Sequence, residues 1–370
     1  MNAPQEKPIA LAVFITSHGF GHAARSAAIM NALYERIPNL QFEIYTQVDP
    51  WVFEDTLTGS FRCHHTWTDV GVVQHSAMEE DLPATLAALQ EHYPLKPEVV
   101  QQLSKQVLAA RCRAVICDIS PLGIAVAKQA GLPSYLVENF TWDWIYEGYL
   151  NREKRLAQVI PYLQRLFDQA TYRIQTTPFC KADPDASLVS PVVSRQPKTS
   201  PRELRRKMGI PENAHMALIT TGGIETHHGF LDRLKSVREL YFVVPGAAES
   251  FTCDQNLILL PHHTPFYHPD LVNGANVVIG KVGYSTMAEV YWAGIPFVYV
   301  TRKNFRESEE MARFIEERIP GYEITQEEFE RGDWAEDLLD LIALPRIRRD
   351  GENGSRQIAR YIQQTLRLGR

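Results

Sequence analysis

In the first half of the chain, the residues best suited to chemistry are two histidines and an aspartate that lie far apart in sequence. His18 and His22 sit in the run Ser17-His18-Gly19-Phe20-Gly21-His22-Ala23-Ala24-Arg25-Ser26, between an apolar strand-like run and the helical pattern AAIMNALYER. An imidazole titrates near neutral pH, so either histidine can serve as a general base. Gly19 and Gly21 permit a sharp turn and close approach of a ligand to backbone N–H groups, and a helix start favours anions or developing negative charge. Asp118 closes the run Ala114-Val115-Ile116-Cys117-Asp118, at the carboxyl end of another strand. A carboxylate there can hold an imidazole in one tautomer and stabilise its charged form. His22 with Asp118 is therefore the expected catalytic pair. The structural alternatives are a loop histidine that only packs and an aspartate that caps the following helix. A dinucleotide site fits less well. The pattern GxGHAA lacks the third glycine, and Asp49 follows Gly21 by 28 residues, further than the usual acidic ribose ligand.

The second half concentrates its chemistry in Ile279-Gly280-Lys281-Val282-Gly283-Tyr284-Ser285-Thr286-Met287-Ala288-Glu289. A strand runs into a glycine turn, and Ser285 and Thr286 begin a helix. Such a segment offers backbone N–H groups, two hydroxyls and the positive end of a helix dipole to a phosphate, with Lys281 adding charge. Glu289 falls one turn after Ser285 on the same face, where it can accept hydrogen bonds from a ribose diol. The bland alternative is an ordinary capped helix with a capping-box glutamate. Two further strand ends point the same way. The turn Thr220-Thr221-Gly222-Gly223 lets a ligand approach backbone, and Phe266, in Pro261-His262-His263-Thr264-Pro265-Phe266, offers an aromatic face to a base. The His-His pairs at 64/65, 227/228 and 262/263 match no compact zinc spacing, so no metal site is expected.

These residues need strands to end at and helices to begin from. Short apolar runs recur, each followed by a longer helical pattern, which is how a parallel sheet covered by helices reads in sequence. The fold class is α/β. The runs are 9–16, 42–47, 113–118 and 134–139 in the first half, and 215–221, 240–245, 257–262, 276–281 and 296–301 in the second. The polar stretch 181–203, with its prolines, reads as a connection. This predicts two doubly wound, Rossmann-like domains facing a cleft: residues 1–185 on the acceptor side, 186–353 on the donor side, and an amphipathic closing helix over 354–370. In that helix Ile358, Tyr361, Ile362 and Leu366 stand at helical spacing. In open parallel sheets ligands bind beyond the carboxyl ends of the strands, where these motifs lie.

With 370 residues the chain is long enough for two cores, and its 38 Lys and Arg against 44 Asp and Glu leave a net charge of −6. No nucleic-acid partner is expected from that balance. No run approaches the roughly 18–20 apolar residues needed to span a bilayer, so any membrane contact is peripheral. Five scattered cysteines without a CxxC pair read as reduced thiols in a cytoplasmic protein.

The run GKVGYSTMAEVYWAGIPFVYV resembles the donor-nucleotide motif of GT-B glycosyltransferases, the fold of two Rossmann-like domains shared by UDP-glycosyltransferases and the N-acetylglucosaminyl transferase of peptidoglycan synthesis. SHGFGHAAR looks like the acceptor-side glycine loop of that fold. A more specific likeness comes from SHGFGHAAR, DVGVVQ, VENFTWDWIYEGY, GKVGYSTMAE and TRKNFRESE. Together they resemble the glycosyltransferase-like N-terminal region of plant L-arabinokinases and its free-standing bacterial relatives, across nearly all of the chain. No kinase glycine-rich phosphate loop is seen up to Arg370, so kinase activity is not carried over.

The resemblance implies a metal-independent, inverting transfer from a nucleotide-diphosphate sugar, by this likeness a UDP-sugar, to an unidentified acceptor, with no cofactor beyond that co-substrate. It assigns Lys281, Ser285 and Thr286 to the donor diphosphate, Glu289 to its ribose and Glu307 to the donor sugar hydroxyls. Gly223, Phe266, Gly283 and Tyr284 complete the donor set. His22 matches the acceptor-side histidine and Asp118 its partner aspartate. His18, Gly19, Gly21, Asn139, Trp142 and Asp143 are expected around the acceptor, although Trp142 and its aromatic neighbours also fit the core of a helix start. Lys281 stands where a histidine is more usual, and Glu307-Ser308 where many plant enzymes carry an acid and a glutamine. A nucleotide-sugar 2-epimerase and a non-catalytic nucleotide-sugar sensor or partner protein are the alternative readings.

Overall fold

The computed structural model describes residues 8–37, 39–76, 78–220 and 229–367. Gly223 lies outside the described residues. The chain divides into two compact units. The first comprises residues 1–75, 80–194 and 352–370, and the second comprises 76–79 and 195–351.

The first unit is built on a seven-stranded, all-parallel sheet of order β3-β2-β1-β4-β5-β6-β7. Its strands are β1 (Ile9–Ile15), β2 (Leu40–Thr46), β3 (Ser60–His65), β4 (Cys112–Asp118), β5 (Ser134–Glu138), β6 (Tyr172–Thr176) and β7 (Leu188–Ser190). The near-continuous apolar reading of β1 has a simple cause: a parallel strand in mid-sheet is covered on both faces, and Leu11 to Ile15 are all fully buried. The second unit repeats the plan with β8 (His215–Thr220), β9 (Leu240–Pro245), β10 (Thr252–Asp254), β11 (Leu257–Leu260), β12 (Val277–Lys281), β13 (Phe297–Val300) and β14 (Gly321–Glu323). Its order is β10-β11-β9-β8-β12-β13-β14, with β10 antiparallel and the rest parallel. One core of this unit packs Ile219, Phe242, Ile279 and Val298 of the sheet against Leu234, Trp334 and Leu338.

All nine apolar runs form strands. Five further strands, β3, β6, β7, β10 and β14, carry no such run. Four of them are sheet edges, where one side faces no neighbour and polar residues are tolerated. β7 falls inside the stretch 181–203, so that stretch is not connection throughout: residues 188–190 pair with β6, and the first unit continues to Ser194. The closing helix (Gly354–Thr365) belongs to the first unit and packs on the first helix (Phe20–Arg36). Ile358 and Ile362 are fully buried there. Asn353 caps this helix by accepting from Ser355 N at 3.0 Å, and its amide donates to Ser194 O at 2.9 Å.

In each sheet the strand order turns back at one place, between β1 and β4 in the first unit and between β8 and β12 in the second. The crevice beyond the carboxyl ends of the strands at such a switch point is where ligands sit in open α/β sheets. In the second unit the two strands approach closely: a Cβ at Gly280 would stand 1.8 Å from Thr220 O, so only glycine fits.

Candidate functional site

At the switch point of the first unit, β1 ends, the chain turns through Gly19 at φ +81°, and the helix Phe20–Arg36 begins. His22, Arg25 and Ser26 are spaced i, i+3 and i+4, so all three face the sheet from the first turns. They converge on Asp118, whose strand is paired with β1 in the register Ile15 to Asp118. His22 Nδ1 lies 2.8 Å from Asp118 Oδ1. Arg25 grips the same carboxylate from Nε to Oδ2 at 2.9 Å and from Nη2 to Oδ1 at 2.6 Å, and Ser26 Oγ donates to Oδ2 at 3.0 Å. Asp118 is fully buried, and burial alone would raise its pKa. The Arg25 and His22 beside it outweigh that and hold the carboxyl down at about 2. An ionised Asp118 makes His22 Nδ1 the donor, which leaves Nε2 as the basic nitrogen. Among the described residues no hydrogen bond engages Nε2.

Asp118 does not cap the following helix. Ser120 does, accepting from Gly123 N at 3.2 Å. Gly123 is itself required by packing, because a Cβ would meet Phe14 at 2.7 Å. Asn139 joins the cluster by accepting from Arg25 Nη1 at 2.5 Å. Arg25 stands in the glycine-loop motif without having drawn a role; its helical spacing from His22 was the available signal. Asp69, from the DVGVVQ run, is a second such residue. It takes a hydrogen bond from Thr16 Oγ1 at 2.7 Å, and burial pushes its carboxyl up to about 7.

The aromatic stretch after β5 forms the helix Trp142–Glu147. Trp142 is buried against the histidines, with ring centroids 5.2 Å from His18 and 6.5 Å from His22, and it stacks on Tyr146 at 6.1 Å. His18 Nδ1 also faces Val72 N at 3.5 Å. Asp143, the next residue of the helix, is half-buried. It lines a groove with Glu138, Arg173 and Phe140, whose ring lies 5.7 Å from that of His22.

In the second unit the helix Tyr284–Ala293 starts at Gly283, and no side chain caps it. The capping reading of Ser285 and Thr286 therefore does not hold, because the cap residue is a glycine and has no side chain to accept from the first-turn N–H groups. A Cβ at Gly283 would meet open space. Lys281 ends β12 beside them. Burial pulls its ammonium down to about 7, Arg302 pulls in the same direction, and Glu307 partly offsets both. Glu307 opens the helix Glu307–Arg318. Phe266 is half-buried, 6.2 Å from the ring of Phe251.

Glu289 is not an open carboxylate. Arg195 contacts its Oε1 from Nε at 2.9 Å and from Nη2 at 2.8 Å, and His268 Nδ1 contacts Oε2 at 2.7 Å. Protein groups thus occupy about three of its roughly four acceptor positions. Burial works to raise its pKa, and Arg195 and His268 bring it below the usual range. Neither partner was singled out in the sequence. Arg195 lies in the polar connecting stretch, and His268 falls two residues beyond Phe266. Among the described residues no three His, Cys, Asp or Glu side chains gather as a metal-ligand set, and no helix is long and apolar enough to cross a membrane.

No family model matches the chain. It is similar to the L-arabinokinase of Arabidopsis thaliana, 25% identical over 368 residues, which cover 98% of this chain and 35% of that protein. The chain thus spans about a third of the length of that relative. It is also 25% identical over 270 residues to an uncharacterized glycosyltransferase of Methanopyrus kandleri, covering 69% of this chain and 76% of that one. Among solved structures, the glycosyltransferase of kitacinnamycin superposes with a TM-score of 0.64 at 15% identity, covering 96% of this chain and 99% of that one. The fold is GT-B, as the resemblance of the two glycine-loop motifs implied, and the relation to the arabinokinase region extends along the chain.

Proposed function

We propose that the protein is a glycosyltransferase that moves a sugar from a nucleotide-diphosphate sugar, a UDP-sugar by its donor motif, to a hydroxyl acceptor with inversion and without a metal. The observation that carries this reading is the His22–Asp118 pair at the switch point of the first unit, where the only unengaged ring nitrogen is the basic one. In the proposed step His22 Nε2 takes the acceptor hydroxyl proton as the oxygen bonds to the anomeric carbon. The bond from that carbon to the diphosphate breaks, and its electron pair leaves with the diphosphate. The uncapped helix start at Tyr284–Thr286 and the Lys281 ammonium receive the developing negative charge, a preorganised electrostatic role. Glu307 faces the sugar hydroxyls. Glu289 reaches the ribose through its one remaining acceptor position, so Arg195 and His268 orient it. His18 and Trp142 supply the acceptor wall beside His22.

A second reading, a nucleotide-sugar-binding partner without turnover, is favoured by the similarity to one third of a protein named for a kinase activity. A thermal-shift and calorimetry screen against UDP-, GDP-, ADP- and dTDP-sugars tests both. Stabilisation by one nucleotide class, lost in Lys281→Met, followed by consumption of that donor with an acceptor, supports the transferase. Binding with no consumption across an acceptor panel supports the partner protein, and no stabilisation at millimolar donor overturns both.

A further inference from the structure

Beside the helix Trp142–Glu147 the first unit carries a groove of about 610 Å³ that the transferase reading does not use. That volume lies within the range of small-molecule sites. Its floor is the face of β5 and β6 that presents Glu138, Arg173 and Gln175, and the loop 181–187 closes one flank. Acidic side chains dominate it: Glu138, Asp143, Asp168, Asp183 and Asp185 line the groove. Only Arg173 and Lys181 answer them, five carboxyls against two cations.

Arg173 is already committed, with Nη1 donating to Asp183 at 2.6 Å and Nε 4.0 Å from Glu138 Oε1. Glu138 is 4% exposed. Its Oε1 also accepts from Gln175 Nε2 at 2.9 Å, and among the described residues no hydrogen bond engages Oε2. Asp143 Oδ1 is buried, with no hydrogen-bond partner among the described residues. Burial pushes Glu138 up to about 7, despite Gln175, Arg173 and Arg25, and raises Asp143 as well. The buried Glu138 and the half-buried Asp143 share the groove lining with Phe140, Trp144 and Phe167. Carboxylates with aromatic walls are the surroundings in which a cation gains both ion pairing and ring-face attraction.

We propose that this groove binds a small aliphatic ammonium compound, with Glu138 and Asp143 as its counter-charges and the aromatic rings packing its carbon skeleton. Polyamines and amino sugars both carry that chemistry. The site is independent of the nucleotide donor, so its test contains none. The full chain at neutral pH and low salt is titrated with spermidine, glucosamine and the neutral glucose, read by calorimetry and melting temperature. Saturable binding of spermidine or glucosamine, at least 10-fold tighter than glucose, is expected, and which amine wins identifies the source. Glu138→Gln and Asp143→Asn are each expected to weaken it 10-fold or more while the unliganded protein keeps its melting temperature within a few degrees. Should Glu138→Gln fail to fold, Asp143→Asn alone decides. Equal binding of glucose, or no amine binding at millimolar concentration, overturns the proposal and leaves the transferase reading untouched.

Discussion

The candidate site of each unit holds a buried carboxylate between an arginine and a histidine, Asp118 in the first and Glu289 in the second, and the two trios differ in what is left over. Around Asp118, His22 uses Nδ1 alone and keeps Nε2 unengaged. Around Glu289, His268 uses Nδ1 for the carboxylate, while Nε2 stands 3.4 Å from Thr220 Oγ1. An imidazole with one basic nitrogen unengaged can move a proton, and one held at both nitrogens is a strut. The arginines differ too. Arg25 and Asp118 side chains are each 1% exposed, whereas Arg195 is 13% exposed against 3% for Glu289. The lesson is that a His-carboxylate-Arg set is not by itself a catalytic signature; the second nitrogen decides.

The largest expected effect separates the two histidines. His22→Ala should lower turnover by about 10²- to 10⁴-fold with the donor dissociation constant nearly unchanged. His268→Ala should cost less than about 10-fold in turnover and instead lower stability by about 1–3 kcal/mol, the cost of leaving a buried acceptor short of a donor. Steady-state kinetics with donor titration compare them, and equal losses of turnover would end the distinction. The arginines sharpen it further. Arg25→Met strips a fully buried carboxylate of its cation and is expected to destabilise by about 3–5 kcal/mol in chemical denaturation. Arg195→Met, at a more exposed pair, should cost about 1–3 kcal/mol. The reverse order would mean that Glu289 is the more isolated charge.

The smallest effect concerns pH. Lys281 is charged below about 7 and loses its proton above it, so a diphosphate meets a cation only at the lower pH. Donor affinity should therefore fall as pH rises through 7, by at most about 10-fold per unit. The Lys281→Met protein should bind about 10- to 150-fold more weakly at pH 6 and show no such slope. Calorimetry between pH 6 and 8.5 measures both. Asp118, held at about 2, predicts that the His22 pairing persists across this whole range.

Much of the fold was legible in the sequence because parallel strands covered on both faces must be apolar along their length. β1, β4, β8 and β12 announce themselves, and with them the glycine turns and the helix starts at the switch points. Edge strands such as β3 and β7 are not bound by that rule, and SFRCHH and LVS show no such run. The candidate site was legible to the same extent. His22, Asp118, Lys281 and Ser285 sit at strand ends and helix starts, which the apolar runs and the glycine turns mark in the sequence. Arg25 was readable from helical spacing, although Arg195 and His268 had no local signal, because ion pairs between residues 94 and 21 apart leave none.

The sequence by itself determined the α/β alternation, the places where chains turn tightly and the residue types gathered there, since these follow from local periodicity and backbone freedom. Only the tertiary structure decided which charges meet. It set Asp118 on Arg25 as well as His22, closed Glu289 between Arg195 and His268, and gave the helix cap to Ser120 rather than Asp118. Those outcomes depend on strand order and burial, because a charge taken from water must find its partner wherever the fold has placed one.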